Sequence, residues 1–283
     1  MNVTLGYSTL GFAEQSVEAA LDAIAAIGYR GVELLGYAPH MTVPMSGAGE
    51  IALRRRLERC GFAGWTIHSP LGRNVLGAPE EEWRREVMAR CAQYIRFASA
   101  IGARELVIHP VPNPMFVEYI RTPDLPARIG AAVERSLDEL TPLLQQAGVR
   151  LLLENLPYDC DYPYLEMNEL RPLVERYPVP AVGLVIDTGH VGTLRHDPAA
   201  EIRRAGARLC ATHLHDVDTQ APNDQHWMPS SVGMNWSAIL AALQEVGYAG
   251  IWMFEVSQPQ HGESPELLAR ENYAWAKEWI GIP

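Results

Sequence analysis

Apolar residues in this chain fall into short, nearly unbroken runs, and between the runs lie longer stretches in which apolar and polar positions recur with helical spacing. The runs Val3 to Ser8, Val32 to Leu35, Gly64 to His68, Glu105 to His109, Val149 to Glu154, Ala181 to Asp187, Leu209 to His213 and Gly250 to Glu255 read as strands. The amphipathic stretches read as helices: one from about Val17, with Ser16 as its N-cap, then Glu50 to Cys60, Glu80 to Ile101, Ala127 to Ala147, Leu165 to Tyr177, Ala199 to Ala205, Trp236 to Val246 and Pro265 to Ile280. Strands that are apolar at nearly every position, alternating with helices, imply parallel strands buried on both faces.

The junctions repeat. Gly28, Gly61, Gly102, Gly148, Gly206 and Gly247 each stand between a helical stretch and the next strand, where a left-handed residue is cheap only for glycine. Before Asp187 the helix is ended instead by Pro178 and Pro180. Eight strand and helix alternations close most economically into a (β/α)8 barrel, an α/β fold that uses residues 1–283 as one TIM-barrel domain. An open doubly wound sheet is the alternative. No linker, low-complexity tract or domain boundary interrupts the pattern.

Composition narrows the function. At 48% hydrophobic and 20% charged the chain has material for a large core, and its net charge of −11 disfavours a nucleic-acid or anionic-membrane surface. No apolar run approaches the roughly 20 residues needed to span a bilayer, and the N-terminus lacks a basic segment followed by an apolar one. A cytoplasmic protein is expected, with no membrane partner. Cys60, Cys91, Cys160 and Cys210 are scattered and read as reduced thiols. Lys277, in the last helix, is the only lysine, which removes Schiff-base chemistry on a strand. A homo-oligomer is left open.

Candidate chemistry lies at the strand ends. A closed parallel barrel brings the carboxyl ends of its strands to one rim, and here those ends are His68, His109, Glu154, Asp187, His213 and Glu255. Inward-facing acids would repel one another or stay desolvated unless compensated, which a divalent cation does most directly. Each residue also has a plainer explanation: a hydrogen-bonded histidine at a strand end, or Asp187 as a helix N-cap with His190 on the surface. Glu154 and Glu255 follow such apolar runs that this explanation suits them least. His215 follows His213 by two and points to the same side of a continuing strand. Asp224 and His226 are candidate ligands that could also be polar loop residues; Asp161, Asp218 and His261 read as loop residues. Tyr7, Phe12, Trp227 and Trp252 offer faces for a sugar ring, although aromatics in a barrel commonly belong to the core.

Taken together, Ile67-His68, Ile108-His109, Leu153-Glu154-Asn155, Ile186-Asp187-Thr188-Gly189-His190, His213-Leu214-His215-Asp216 and Phe254-Glu255 resemble the xylose-isomerase-like barrel superfamily. The resemblance covers nearly the whole chain. It implies a metal-dependent isomerase or epimerase acting on a small sugar, sugar phosphate or related polyhydroxy carbonyl compound. In such members one divalent ion is held by Glu154, Asp187, His213 and Glu255, and Glu154 and Glu255 exchange protons with the carbon beside the carbonyl. His68, His190, His215 and Trp227 are the candidate substrate contacts. Mixed carboxylate and imidazole ligation fits manganese, cobalt or zinc, and the extra histidines tilt toward zinc. Ketose 3-epimerases of the superfamily carry an arginine six residues after the histidine of the seventh strand, where this chain has Thr219.

The superfamily also contains endonuclease IV, and that resemblance implies an alternative: a trinuclear phosphodiesterase acting on abasic DNA. Its three ions would be held by His68, His109 and Glu154; by Glu154, Asp187, His213 and Glu255; and by His190, Asp224 and His226. Against it, the family's Gly-Glu-Gly segment is replaced by Pro229-Ser230-Ser231-Val232-Gly233, which has no acid. The loop Leu156 to Tyr162 adds Asp159 and Asp161, which suit a phosphate backbone poorly.

Overall fold

A computed structural model describes residues 3–229 and 233–281. Ser230, Ser231 and Val232, on which part of the comparison with endonuclease IV turned, lie outside the described residues. Eight parallel strands form one sheet: β1 (Thr4–Ser8), β2 (Gly31–Leu35), β3 (Gly64–His68), β4 (Glu105–Ile108), β5 (Arg150–Glu154), β6 (Val182–Asp187), β7 (Leu209–His213) and β8 (Ile251–Phe254). Their order in the sheet is sequential, with β8 paired to β1, so there is no switch point and the doubly wound alternative is excluded. The last seam, between β7 and β8, closes at its upper end. There Leu214 N–H donates to Met253 O at 2.8 Å and Glu255 N–H to Leu214 O at 3.2 Å.

Around the barrel lie α1 (Val17–Ile27), α2 (Gly47–Arg59), α3 (Glu81–Ile101), α4 (Leu125–Ala147), α5 (Met167–Glu175), α6 (Thr188–Thr193), α7 (Pro198–Ala205), α8 (Trp236–Glu245) and α9 (Pro265–Ile280). The junction glycines behave as expected, all six having positive φ, from +52° at Gly206 to +118° at Gly28. Helix starts differ from the sequence expectation where side chains cap the chain. Ser46 Oγ accepts from Gly49 N–H at 3.2 Å and starts α2 three residues early. Tyr164 and Leu165 N–H donate to the Glu169 carboxylate instead of extending α5, which begins at Met167.

Strand alternation sorts the core into two parts. Val32, Leu34, Leu106, Ile108, Leu151, Leu153, Leu184 and Ile186 pack outward against the helices, while Val107, Leu152, Val185 and Ala211 form a separate cluster within the barrel. Tyr7, Phe12 and Trp252 are fully buried, so these three aromatics are core and not a sugar platform. The four cysteines are free, Cys91 buried among them. No helix among the described residues is long and apolar enough to cross a membrane.

Candidate metal centre

The apolar run of β6 ends in Asp187, and Asp187 has two tasks. Its Oδ1 accepts from His190 N–H at 2.7 Å, which caps α6, while its carboxylate also faces the barrel axis. The plainer reading of this stretch is therefore half right: Asp187 is an N-cap, but His190 is buried instead of exposed. Gly189 is glycine because the His215 ring occupies the neighbouring space; a Cβ there would stand 1.9 Å from His215 Cε1.

Side chains splice the strand ends together. Asn155 Oδ1 accepts from Asp187 N–H at 2.8 Å and its Nδ2 donates to Asp187 O at 3.0 Å, continuing the β5 to β6 pairing beyond Glu154. Thr188 Oγ1 accepts from His215 N–H at 3.1 Å and ties β6 to the chain after β7. His226 has a backbone φ of +47°, uncommon for a non-glycine residue and of the kind found at functional sites, and its carbonyl is held by Ser257 and Gln258 N–H.

These elements bring the nine candidate ligands to one end of the barrel, where two of the three expected sets converge on a shared point and the third, His190, Asp224 and His226, does not. One ligand atom from each of Glu154, Asp187, His213 and Glu255 lies within 4.8 Å of the others, and all four residues are buried. His213 Nδ1 is 3.1 Å from Glu154 Oε1, 3.3 Å from Glu255 Oε2 and 3.9 Å from Asp187 Oδ2. A second group is contiguous with the first, His68 and His109 Nε2 standing 3.2 and 3.4 Å from Glu154 Oε2. Beyond it, His190 and His226 Nε2 flank Asp224 at 3.5 and 3.2 Å. His215 is fully buried beneath the mouth, its Nε2 3.0 Å from the Asp187 carboxylate and its ring stacked on His226 at 4.0 Å.

Electrostatics set the two glutamates apart. Burial pushes the Glu154 carboxyl up, but His213, His109 and His68 around it hold it well below the usual range. Glu255 ends above its ordinary value because burial outweighs His213 and His226. Burial opposes the charged form of His68 and His226, yet the carboxylates beside them carry both up to about 9. For His109 burial prevails and lowers it. Three converging carboxylates with imidazole nitrogens among them, in a cavity whose described walls carry no lysine or arginine, are a donor set that suits a divalent cation.

The cavity over the cluster is about 70 Å³ and is walled by Leu10, Leu35, Tyr37, Leu71 and seven of the nine candidate ligands, Asp187 and His213 lying outside its lining. That is room for about two waters. A groove of about 730 Å³ lies outside, beside Tyr158 and Arg195, without any of the ligand residues, so volume alone does not mark the site. Trp227 is half-buried and is not among the cavity walls; its main chain pairs with Asp216 instead. Asp218 caps its own turn by accepting from Gln220 N–H at 2.8 Å. Sequence reading missed Glu33, buried on β2 with its Oε2 3.1 Å from His213 Nε2.

The fold and this donor set define a class, and the chain belongs to the xylose isomerase-like TIM barrel family, whose profile matches residues 21–279. Among named relatives, it is 24% identical to a fructoselysine 3-epimerase of Shigella flexneri over 94% of both chains. It is also 24% identical to a probable endonuclease 4 of Heliobacterium modesticaldum, over 78% of each. A solved D-psicose 3-epimerase superimposes with a TM-score of 0.83 at 16% identity, covering 99% of this chain and 100% of that one, a likeness of fold.

Proposed function

We propose that the protein is a metal-dependent isomerase or epimerase that moves a proton on the carbon next to the carbonyl of a small polyhydroxylated substrate. The observation that carries this reading is the placement of Glu154 and Glu255, buried acids at the ends of β5 and β8, in one four-residue cluster with Asp187 and His213. Glu154, Asp187, His213 and Glu255 would hold a divalent ion, which would supply polarisation of a substrate carbonyl and stabilisation of the negative charge that develops when the neighbouring proton leaves. Zinc or manganese fits the mixed oxygen and nitrogen donors, and the adjoining His68, His109 and Glu154 group allows for more than one ion.

The chain's own groups do the rest. Glu154 and Glu255 are the proton-transfer residues, a role in which a positioned carboxylate contributes about a hundred- to ten-thousand-fold. His68 and His190 line the cavity and hydrogen-bond substrate hydroxyls. His215 and Trp227 act from behind, through Asp187 and through the loop that carries Asp224 and His226. The low-dielectric walls of Leu10, Leu35 and Leu71 strengthen each of these interactions once water is excluded. The 3-epimerase relative, matched over 94% of both chains against 78% for the endonuclease relative, supports a sugar-like substrate over DNA.

Exchange of a substrate carbon-bound proton with deuterated water tests the mechanism. Glu154→Gln and Glu255→Gln are each expected to abolish it, and persistence in both variants removes them from the acid and base role. The second reading, a multinuclear phosphodiesterase, draws on His190, Asp224 and His226 standing beside the other two groups. Robust incision of duplex DNA at an abasic site, with three tightly held zinc ions per chain, would replace the isomerase reading with that one.

A further inference from the structure

Each rim ligand is the upper member of an i, i+2 pair on the inner face of its strand, so the residue two positions earlier lies one layer down inside the barrel. Under His68, His109, Glu154, Asp187, His213 and Glu255 these lower residues are Thr66, Val107, Leu152, Val185, Ala211 and Met253, none of them ionisable. β2 reverses the arrangement. Its rim position is the apolar Leu35, a cavity wall, and its lower position is Glu33, 1% exposed. A carboxylate in that layer is costly unless paired.

Glu33 is paired with one side chain of the centre. Its Oε2 lies 3.1 Å from His213 Nε2 and accepts from Thr66 Oγ1–H at the same distance, while Oε1 has no hydrogen-bond partner among the described residues. The other nitrogen of the same ring, Nδ1, is the one turned to Glu154, Asp187 and Glu255. An imidazole bound to a cation through one nitrogen carries its proton on the other, and the group that accepts that proton sets the ring's orientation and basicity.

We propose that Glu33 is a positioning residue of the metal centre: it accepts the Nε2 proton of His213 across the barrel and thereby holds Nδ1, unprotonated, toward the three carboxylates. This inference rests on the metal-dependent reading above. It explains why the barrel keeps a carboxylate beneath the apolar rim position Leu35, with one oxygen that has no partner among the described residues. A merely structural Glu33 would alter the stability of the metal-free chain and leave its metal affinity alone.

The test uses the full chain with zinc, and with cobalt as a spectroscopic stand-in. Competition against a chelator is expected to show about ten- to a hundred-fold weaker zinc binding in Glu33→Gln than in the wild type. The visible bands of the cobalt form should shift as well, and Glu33→Asp, which keeps the charge, should recover part of the affinity. A folded Glu33→Gln with wild-type affinity and an unchanged cobalt spectrum overturns the proposal. Should that variant fail to fold, nitrogen-15 histidine spectra of the zinc-loaded wild type decide: His213 protonated at Nε2 upholds the assignment, and His213 protonated at Nδ1 refutes it. Wild-type protein that takes up no divalent ion removes the metal reading and this inference together; equal binding by wild type and Glu33→Gln removes this inference alone.

Discussion

At the scale of single residues, the site depends on close approaches that only particular side chains allow. Gly189 sits within α6, where helix propensity alone favours alanine by about 1 kcal/mol. The His215 ring in the space of its missing Cβ reverses that sign. Overpacking of this kind costs about 1–3 kcal/mol, so Gly189→Ala is expected to destabilise the metal-free chain by a net 1 kcal/mol or so in urea unfolding. It should also weaken metal binding, because the displaced His215 is hydrogen-bonded to Asp187. An unchanged unfolding midpoint would mean that His215 yields at no cost. The candidate ligands at the rim were legible because each one ends an apolar run with a group that is expensive to bury. Glu33 was not, because a charge inside the short run Gly31–Leu35 reads as an outward-facing position until the barrel's curvature shows which face is inside.

At the scale of elements, the helix-to-strand junctions were read almost to the residue, since a glycine with positive φ is a local requirement. The junctions differ in what surrounds them. At Gly148, φ is +65° and an added Cβ would meet nothing within 4 Å; at Gly28, φ is +118° and it would stand 2.9 Å from the Tyr273 hydroxyl. Gly148→Ala should therefore cost only the left-handed backbone term, about 1 kcal/mol, and Gly28→Ala distinctly more, about 2 kcal/mol or above. Denaturant unfolding of the two variants side by side checks the order, and equal losses would argue against the contact with Tyr273. Helix α6 is not among the helical stretches read from the sequence because six residues are too few to show a period, and it forms on the strength of the Asp187 cap and tertiary packing.

At the scale of the whole molecule, the charged groups at the two ends of the barrel behave differently. The acids of the upper mouth answer to one another and to the histidines, whereas Glu105, at the start of β4, is pushed up to about 7 chiefly by burial and also by Glu33, with Arg150 opposing. A carboxyl raised in the folded state binds its proton more tightly than the unfolded chain does, so its stabilising protonated form is lost as pH rises from about 4.5 to about 7. Glu105→Gln should remove this dependence and raise stability at pH 8 relative to the wild type by on the order of 1–2 kcal/mol, allowing for partial exposure. Unfolding free energies at pH 5 and pH 8 measure it, and a wild type whose difference from the variant is the same at both values would contradict it.

The sequence by itself determined the alternation of strands and helices, their order and the residues at the strand ends, because hydrophobic periodicity and glycine punctuation are properties of neighbours along the chain. It also carried the family pattern, which spans almost the whole length. Only the tertiary structure decided that the strand-end acids and histidines come together with His190, Asp224 and His226 at one end of the barrel, that Trp227 stays out of the cavity walls, and that Glu33 reaches His213 across 180 positions of sequence. The physical reason is closure: ring formation converts strand register into distance, and no local pattern contains the curvature that brings β2 within reach of β7.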